Sequence, residues 1–307
     1  MTTTTTAAAA RIATAPISWG ISEVRDWGYQ FSPDRVLTEM RSLGFTATEM
    51  GPDGFLPPEP ADKAAVLRQY DMTAVGTFVP LVLHRAEVDP IPRVERELAD
   101  YAAAGAEVLI VAAVTGIDGY DQTREPLTDD EWSTLFANLE RIRGVASAAG
   151  ITSALHPHVG TVVETADDVQ RVVDGSSFSF CFDTGHLMIG GVDPVAFAAE
   201  HADRIAVTHL KDVSIEGMLR VKRGEKSYFD SIVADELYRP LGQGDVDIRA
   251  IVTSLLAVGY TGWFVLEQDK VVLAEPAEGA GPIEDARASV TYLRGILDEQ
   301  ADAGARA

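Results

Sequence analysis

Cysteine is nearly absent from this chain, in which Cys181 is the only one. A single cysteine excludes an intramolecular disulfide, and this scarcity is typical of proteins of the reducing cytoplasm. Cys181 lies within the apolar run of residues 178–182 and has no basic neighbour in sequence. This context indicates a small buried side chain rather than a reactive thiolate. We therefore expect a cytoplasmic protein whose chemistry does not use sulfur.

Positive charge and long apolar runs are also scarce. Lysine and arginine total 25 residues against 47 aspartates and glutamates, which gives a formal net charge of −22 at pH 7. Such a charge repels nucleic acid and anionic membrane surfaces. No segment approaches the roughly 20 consecutive apolar residues of a membrane-spanning helix. We expect neither nucleic acid nor a membrane as a partner.

The chain alternates short β-rich runs with longer amphipathic stretches. Candidate strands lie at residues 12–19, 47–51, 73–79, 108–114, 152–158, 178–183, 205–210 and 263–267. Helix signals separate them, such as Ser32-Pro33 at a helix start and Thr128 with Glu131 as a capping box. The nearly continuous apolar strands are typical of a parallel sheet covered by helices. This alternation fits a closed barrel or a doubly wound sheet.

Polar residues at the strand ends favour the barrel, because a (β/α)₈ barrel collects its active site at the carboxyl ends of its strands. The residues in such positions are Glu49, His156, His158, Asp183, His186, His209, Lys211 and Glu267. We predict an α/β protein that is a single-domain (β/α)₈ TIM barrel over residues 11–300. Residues 1–10, which are Thr and Ala after Met1, are expected to form a disordered leader, and residues 301–307 a flexible tail.

Carboxylates and imidazoles that meet at the carboxyl end of a barrel would repel each other or lack hydrogen-bond partners if they were buried alone. A divalent cation satisfies them together. Mixed Asp, Glu and His ligands suit Mn²⁺, Co²⁺, Zn²⁺ or Mg²⁺. Other catalytic motifs are lacking, because Gly242-Gln243-Gly244 follows no strand and the chain has no Walker A, H-E-x-x-H or G-x-S-x-G sequence. The pattern predicts a metal-dependent enzyme.

Two long segments interrupt the alternation, at residues 118–127 and 213–247. Long loops in a compact domain usually cover or bind something. The second segment carries Arg220, Lys222, Arg223 and Tyr228 in an otherwise acidic chain. We predict that it acts as a lid over the substrate.

At the polar strand ends the chain resembles the xylose isomerase-like TIM-barrel superfamily. The stretches that carry the resemblance are Asp183-Thr184-Gly185-His186, Thr208-His209-Leu210-Lys211-Asp212 and Val265-Leu266-Glu267-Gln268-Asp269. Within it, the inosose dehydratases are the most similar, through Ala15-Pro16-Ile17-Ser18-Trp19-Gly20, Thr48-Glu49-Met50-Gly51-Pro52 and His156-Pro157-His158-Val159-Gly160-Thr161. The likeness covers roughly residues 12–270.

The resemblance implies a metal-dependent lyase that removes water from a keto-inositol such as 2-keto-myo-inositol, in inositol catabolism. It implies Asp183, His209 and Glu267 as metal ligands. For the fourth ligand we favour His156, then His158, then Glu164, and we expect Mn²⁺ or Co²⁺ ahead of Zn²⁺ or Mg²⁺. The residues expected to be catalytic are His156, His158, Glu267 and Lys211. Those expected to bind the substrate are Trp19, Glu49, His186 and Arg220.

Three other functions compete with dehydration. A sugar isomerase or epimerase is the main alternative, but the sugar epimerases of the superfamily carry a glutamate where the fifth strand here ends in His156-Pro157-His158. A nuclease of the endonuclease IV type would need more metal ligands than six histidines favour, and a surface less acidic than a charge of −22 gives. A barrel that binds a keto-sugar without converting it is the non-enzyme alternative. The sequence leaves open whether the chain forms a homo-oligomer.

Overall fold

The computed structural model describes residues 10–121 and 124–306. Its strands are β1 (Arg11–Thr14), β2 (Ala47–Thr48), β3 (Thr73–Ala74), β4 (Gly76–Leu81), β5 (Val108–Ala113), β6 (Thr152–Leu155), β7 (Ser179–Asp183), β8 (Ile205–Leu210), β9 (Asp212–Val213), β10 (Tyr238–Arg239) and β11 (Trp263–Leu266). Nine of them form one parallel sheet in the order β3-β2-β1-β11-β8-β7-β6-β5-β4. The other two, β9 and β10, pair as an antiparallel ribbon.

The two ends of the large sheet are joined through Val75, which alone separates β3 from β4. Its N–H donates to the carbonyl of Thr48 at 2.9 Å, and its carbonyl accepts from Val108 N at 3.1 Å. The strand run 73–81 thus bonds to both neighbours and closes the barrel. The predicted (β/α)₈ TIM barrel is confirmed, with β3 and β4 together in the place of the third predicted strand.

Helices cover the outside of the barrel and fill its connections. They are α1 (Pro33–Ser42), α2 (Pro60–Gln69), α3 (Ile91–Ala104), α4 (Asp129–Ala148), α5 (Ala166–Gly175), α6 (Thr184–Gly190), α7 (Pro194–Glu200), α8 (Ile215–Lys222), α9 (Tyr228–Val233), α10 (Ile248–Ala257) and α11 (Pro282–Arg306). The predicted caps are present, since Ser32 accepts from Arg35 N, and Thr128 forms a capping box with Glu131. None of the described helices is long and apolar enough to span a bilayer.

The core has two layers. Small side chains fill the interior of the barrel, including Ala13, Val75, Ile110 and Cys181, and larger ones pack between strands and helices. Burial raises the pKa of the Cys181 thiol to about 12. Cys181 is therefore a buried neutral thiol, as its apolar context predicted.

Some predicted boundaries differ from the structure. The first strand was expected to reach Trp19 but ends at Thr14, because Pro16 cannot donate to the ladder and starts a 3₁₀ helix, Pro16–Trp19. The fifth strand, expected to reach His158, ends at Leu155, two residues before Pro157. Residues 301–306, expected to be a flexible tail, continue α11 as helix. The predicted leader lies outside the described residues apart from Ala10.

Candidate active site

A cavity of about 150 Å³ lies at the carboxyl ends of the barrel strands. Five of the residues predicted for the site line it, namely Glu49, His156, His158, Lys211 and Glu267. Asp183 and His209 lie at its floor and are almost fully buried. The strand ends therefore bring the predicted residues together, as the barrel topology requires.

Four atoms that could serve as metal ligands lie in a row at this floor. His156 Nε2 lies 3.3 Å from Asp183 Oδ2, which lies 3.7 Å from His209 Nδ1, and that nitrogen lies 3.0 Å from Glu267 Oε2. Ligands about 2.1 Å from a tetrahedral ion would be separated by about 3.4 Å. Among the described residues, the groups whose potential ligand atoms all lie within 4.8 Å of one another include Glu49, His209 and Glu267, and also His156, Asp183 and His186. Together these two groups contain the four predicted ligands.

The second nitrogen of His209 is held by a carboxylate. Glu49 Oε1 lies 2.7 Å from His209 Nε2, so that Nε2 donates to this carboxylate. Nδ1 is buried, and although Glu267 Oε2 lies 3.0 Å away, it makes no hydrogen bond of acceptable geometry with any described residue. A histidine whose one nitrogen is fixed by a carboxylate while the other is unpaired is arranged as metal-ligating histidines usually are. Glu49, expected to bind substrate, contacts His209.

The backbone orients Asp183 in a similar way. Its Oδ1 accepts from Gly185 N at 2.9 Å and His186 N at 2.8 Å, which caps α6. Its other oxygen, Oδ2, is thereby left to face the cluster. Gly185 is required at this turn, because a Cβ there would lie 2.7 Å from Lys211 Cβ. The start of α6 thus fixes the orientation of the Asp183 carboxylate and makes room for Lys211.

Lys211 lies among the carboxylates, although it is buried. Its Nζ is 3.0 Å from Asp183 Oδ2, 2.8 Å from Glu267 Oε2 and 3.1 Å from Asp269 Oδ1. Burial opposes the charged form of Lys211, but these carboxylates outweigh it and raise its pKa well above the ordinary value. Burial likewise opposes ionisation of Asp183, yet Lys211 and His156 lower its pKa to about 2. Both groups are therefore charged at neutral pH.

The floor nevertheless holds more carboxylates than cationic groups. Asp183, Glu267 and Asp269 contact the ammonium of Lys211, and Glu49 pairs with His209. Burial raises the pKa values of Glu49 and Asp269, although His209 and Lys211 oppose these shifts. Carboxylates in such surroundings bind a proton or a cation more readily than isolated ones. The charge balance thus also suits a divalent ion.

Three imidazoles form one wall beside the cluster. Burial lowers the pKa of His156 to about 3 and that of His158 to about 4, so both are neutral at pH 7. His158 Nδ1 lies 2.7 Å from Val159 O and donates to it, which leaves Nε2 as a proton acceptor. The His186 ring packs at a tilt against His158 with centroids 3.7 Å apart, and its Nε2 is 3.1 Å from Lys211 Nζ. His186 supports the wall rather than lining the cavity.

Other predicted residues lie elsewhere. Trp19 is fully buried and donates through Nε1 to Glu39 Oε2 at 2.8 Å, outside the cavity lining. Arg220 pairs with Glu236 at 2.6 Å on the outer segment. Glu164, the third choice for a metal ligand, accepts from Gly160 N at 3.1 Å. The structure brings none of these three side chains to the cavity, so substrate contact by Trp19 and Arg220 is not supported.

The outer segment contributes a different side chain. Residues 213–247 fold into α8, α9 and the β9–β10 ribbon rather than an irregular loop. Lys222 and Arg223 are exposed, whereas Tyr228 reaches the cavity. Its hydroxyl donates to Asp269 Oδ2 at 2.9 Å. Of the four residues proposed for the lid, Tyr228 alone meets the cavity.

Asp269 was quoted in the sequence only as part of a motif. It lines the cavity and contacts both Lys211 and Tyr228. Its position two residues after Glu267 is a usable signal, because extended backbone points alternate side chains to the same side. Phe78 and Tyr120 also line the cavity and pack on His158. No polar strand-end pattern marks these two aromatic residues.

Comparison with known proteins identifies the family of this chain. The family model described as "Xylose isomerase-like TIM barrel" matches residues 37–296. An inosose dehydratase of Geobacillus kaustophilus is 33% identical over 272 residues, which cover 85% of this chain and 87% of that protein. The rhizopine catabolism protein MocC of Rhizobium meliloti is 30% identical over 269 residues, or 85% of this chain and 82% of that protein.

Solved structures share the fold at lower identity. L-ribulose 3-epimerase superposes with a TM-score of 0.69 at 18% identity and covers 97% of both chains. The IolI protein with a bound zinc atom superposes with a TM-score of 0.69 at 12% identity and covers 94% of this chain and 98% of that one. The family match covers most of the chain and agrees with the closed barrel and its strand-end cavity. The chain belongs to the xylose isomerase-like TIM barrel family.

Proposed function

We propose that this protein is a metal-dependent dehydratase, a hydro-lyase that removes water from a keto-inositol such as 2-keto-myo-inositol. One observation carries the proposal. The donor atoms of His156, Asp183, His209 and Glu267 meet in a single buried cavity, in a chain 33% identical to an inosose dehydratase. The relatives support the enzyme class, and a metal ion held by the cluster would supply the chemistry that the class needs.

His156, Asp183, His209 and Glu267 would hold one divalent ion. Two imidazoles and two carboxylates suit Mn²⁺ or Co²⁺, with Zn²⁺ or Mg²⁺ as alternatives. When bound, such an ion would stabilise negative charge on the carbonyl oxygen of the substrate. Glu49 would act through His209 by holding its Nε2 hydrogen. We therefore assign Glu49 to the orientation of a ligand.

His158 is placed to act as the base. Its Nδ1 hydrogen is engaged by Val159 O, so Nε2 is free to accept a proton from the carbon next to the carbonyl. The C–O bond on the following carbon then breaks, and the departing hydroxyl takes up the proton held by His158 Nε2 and leaves as water, which returns His158 to its neutral form. Lys211 has N–H donors beside the cavity and would hold the substrate oxygens during this elimination. His186 would keep the His158 ring and Lys211 in place.

The cavity also restricts the substrate. A volume of about 150 Å³ suits a small molecule. Its floor holds the carboxylates of Glu49, Asp183, Glu267 and Asp269, which disfavours a phosphorylated sugar by charge repulsion. An uncharged ring rich in hydroxyl groups meets these carboxylates with hydrogen-bond donors. A keto-inositol satisfies both conditions.

The test is to incubate the manganese or cobalt form with 2-keto-myo-inositol and to follow the product by mass spectrometry. Loss of one water supports the dehydratase. A new isomer of unchanged mass would replace it with the isomerase or epimerase, which the imidazole of His156 at this strand end disfavours. Binding without conversion, across a panel of keto-sugars, would leave a sugar-binding barrel.

A further inference from the structure

Three aromatic residues separate the active-site cavity from a second cleft further out. Trp27, Tyr120 and Tyr228 line both the cavity and this outer cleft, which measures about 370 Å³. They come from three different segments: Trp27 follows β1, Tyr120 follows β5, and Tyr228 belongs to residues 213–247. The relative position of these segments therefore sets the shape of the outer cavity wall.

Two of these side chains contact other residues that line the cavity. Tyr228 donates to Asp269 Oδ2 at 2.9 Å, and its hydroxyl lies 2.8 Å from that of Tyr238. Tyr120 packs against the His158 ring with centroids 4.5 Å apart. A displacement of either tyrosine would therefore change the surroundings of His158 or Asp269.

Asp121 connects the segments that carry these tyrosines. Its Oδ1 accepts from Tyr228 N at 2.5 Å and its Oδ2 accepts from Phe229 N at 3.1 Å. Both N–H groups belong to the first turn of α9, where no helical carbonyl is available to them. Asp121 follows Tyr120 directly in the chain, so one carboxylate ties the backbone beside Tyr120 to the backbone of Tyr228.

We infer that Asp121 is a positioning residue that holds Tyr120 and Tyr228 at a fixed separation across the cavity. Asp121 does not line the cavity and acts through these two tyrosines. The inference rests on the proposed function only in taking this cavity as the active site. Loss of the carboxylate frees the start of α9, loosens the outer wall and weakens substrate binding, while the metal ligands stay in place.

The experiment compares Asp121→Ala, Asp121→Asn and the control Asp118→Ala, an exposed aspartate of the same loop. Amide hydrogen exchange over residues 227–234 is measured in the substrate-free protein. The net free energy of one hydrogen bond is large enough that its loss changes the amide exchange rate by about two- to tenfold. We expect faster exchange in Asp121→Ala, an intermediate rate in Asp121→Asn, which keeps one acceptor oxygen, and the original rate in the control. Unchanged exchange in both Asp121 variants overturns the inference.

A kinetic measurement separates positioning from general destabilisation. With 2-keto-myo-inositol, KM should rise on the order of tenfold in Asp121→Ala, with a smaller change in kcat and unchanged metal content. A fall in kcat at constant KM would overturn the positioning role. If the protein does not convert this substrate, the proposed function fails, whereas the exchange experiment still decides the role of Asp121.

Discussion

Replacement of Glu49 by Gln tests whether His209 binds a metal through Nδ1. The amide keeps the size of the side chain and can accept a hydrogen bond from His209 Nε2, but it removes the negative charge 2.7 Å from that nitrogen. Loss of such a carboxylate partner typically costs 10- to 100-fold in metal affinity, which corresponds to about 1.4–2.7 kcal/mol. We expect a loss in this range, with Asp183, Glu267 and His156 still present to bind the ion.

The assay is calorimetric titration of the metal-free protein with Mn²⁺ and Co²⁺. Glu39→Gln is the matched control, because Glu39 is a buried glutamate that bonds to Trp19 outside the cavity. A loss far above 100-fold would make Glu49 a direct ligand instead of a partner of His209. Affinity equal to that of the original protein in Glu49→Gln would refute the assignment of His209 as a ligand oriented by Glu49.

Three further substitutions test separate parts of the account. Asp183→Asn should lower the metal content from about one ion per chain to near zero and abolish turnover, as measured by elemental analysis and product formation; a fully loaded, active variant would contradict the ligand set. His186→Asn should reduce turnover while the metal content stays unchanged, and parallel loss of both would make His186 a ligand. Thr128→Ala should lower the free energy of unfolding by about 1 kcal/mol without affecting activity, because it removes the cap of α4; chemical denaturation measures this, and an unchanged midpoint would show that the cap contributes nothing.

The sequence predicted the barrel because its pattern repeats along the chain. Apolar runs, caps such as Thr128 and polar strand ends all indicate the same parallel architecture, and closure then brings distant residues such as Asp183 and Glu267 to one cavity. Strand limits were less predictable, because Pro16 and Pro157 end the ladder within runs that remain apolar or aromatic. Local chain chemistry decides these boundaries, whereas the overall alternation decides the fold.

Side-chain direction beyond the strand ends could not be predicted. Trp19 belongs to a motif of the first strand, yet the 3₁₀ turn directs it towards Glu39 and away from the cavity. In the outer segment Arg220 and Tyr228 were among the residues expected in the lid, but Arg220 pairs with Glu236 and only Tyr228 of the four named residues reaches the cavity. The position of Tyr228 depends on contacts with Asp121 and Asp269, which lie outside the segment.

The central claim is that turnover depends on a divalent ion held by Asp183, His209, Glu267 and His156. The direct measurement is to strip the protein with a chelator, confirm its metal content by elemental analysis, and follow 2-keto-myo-inositol by mass spectrometry before and after Mn²⁺ or Co²⁺ is restored. The account predicts no product from the stripped protein and a product lighter by one water after about one ion per chain has bound. Full formation of that product by protein with no detectable metal would contradict it.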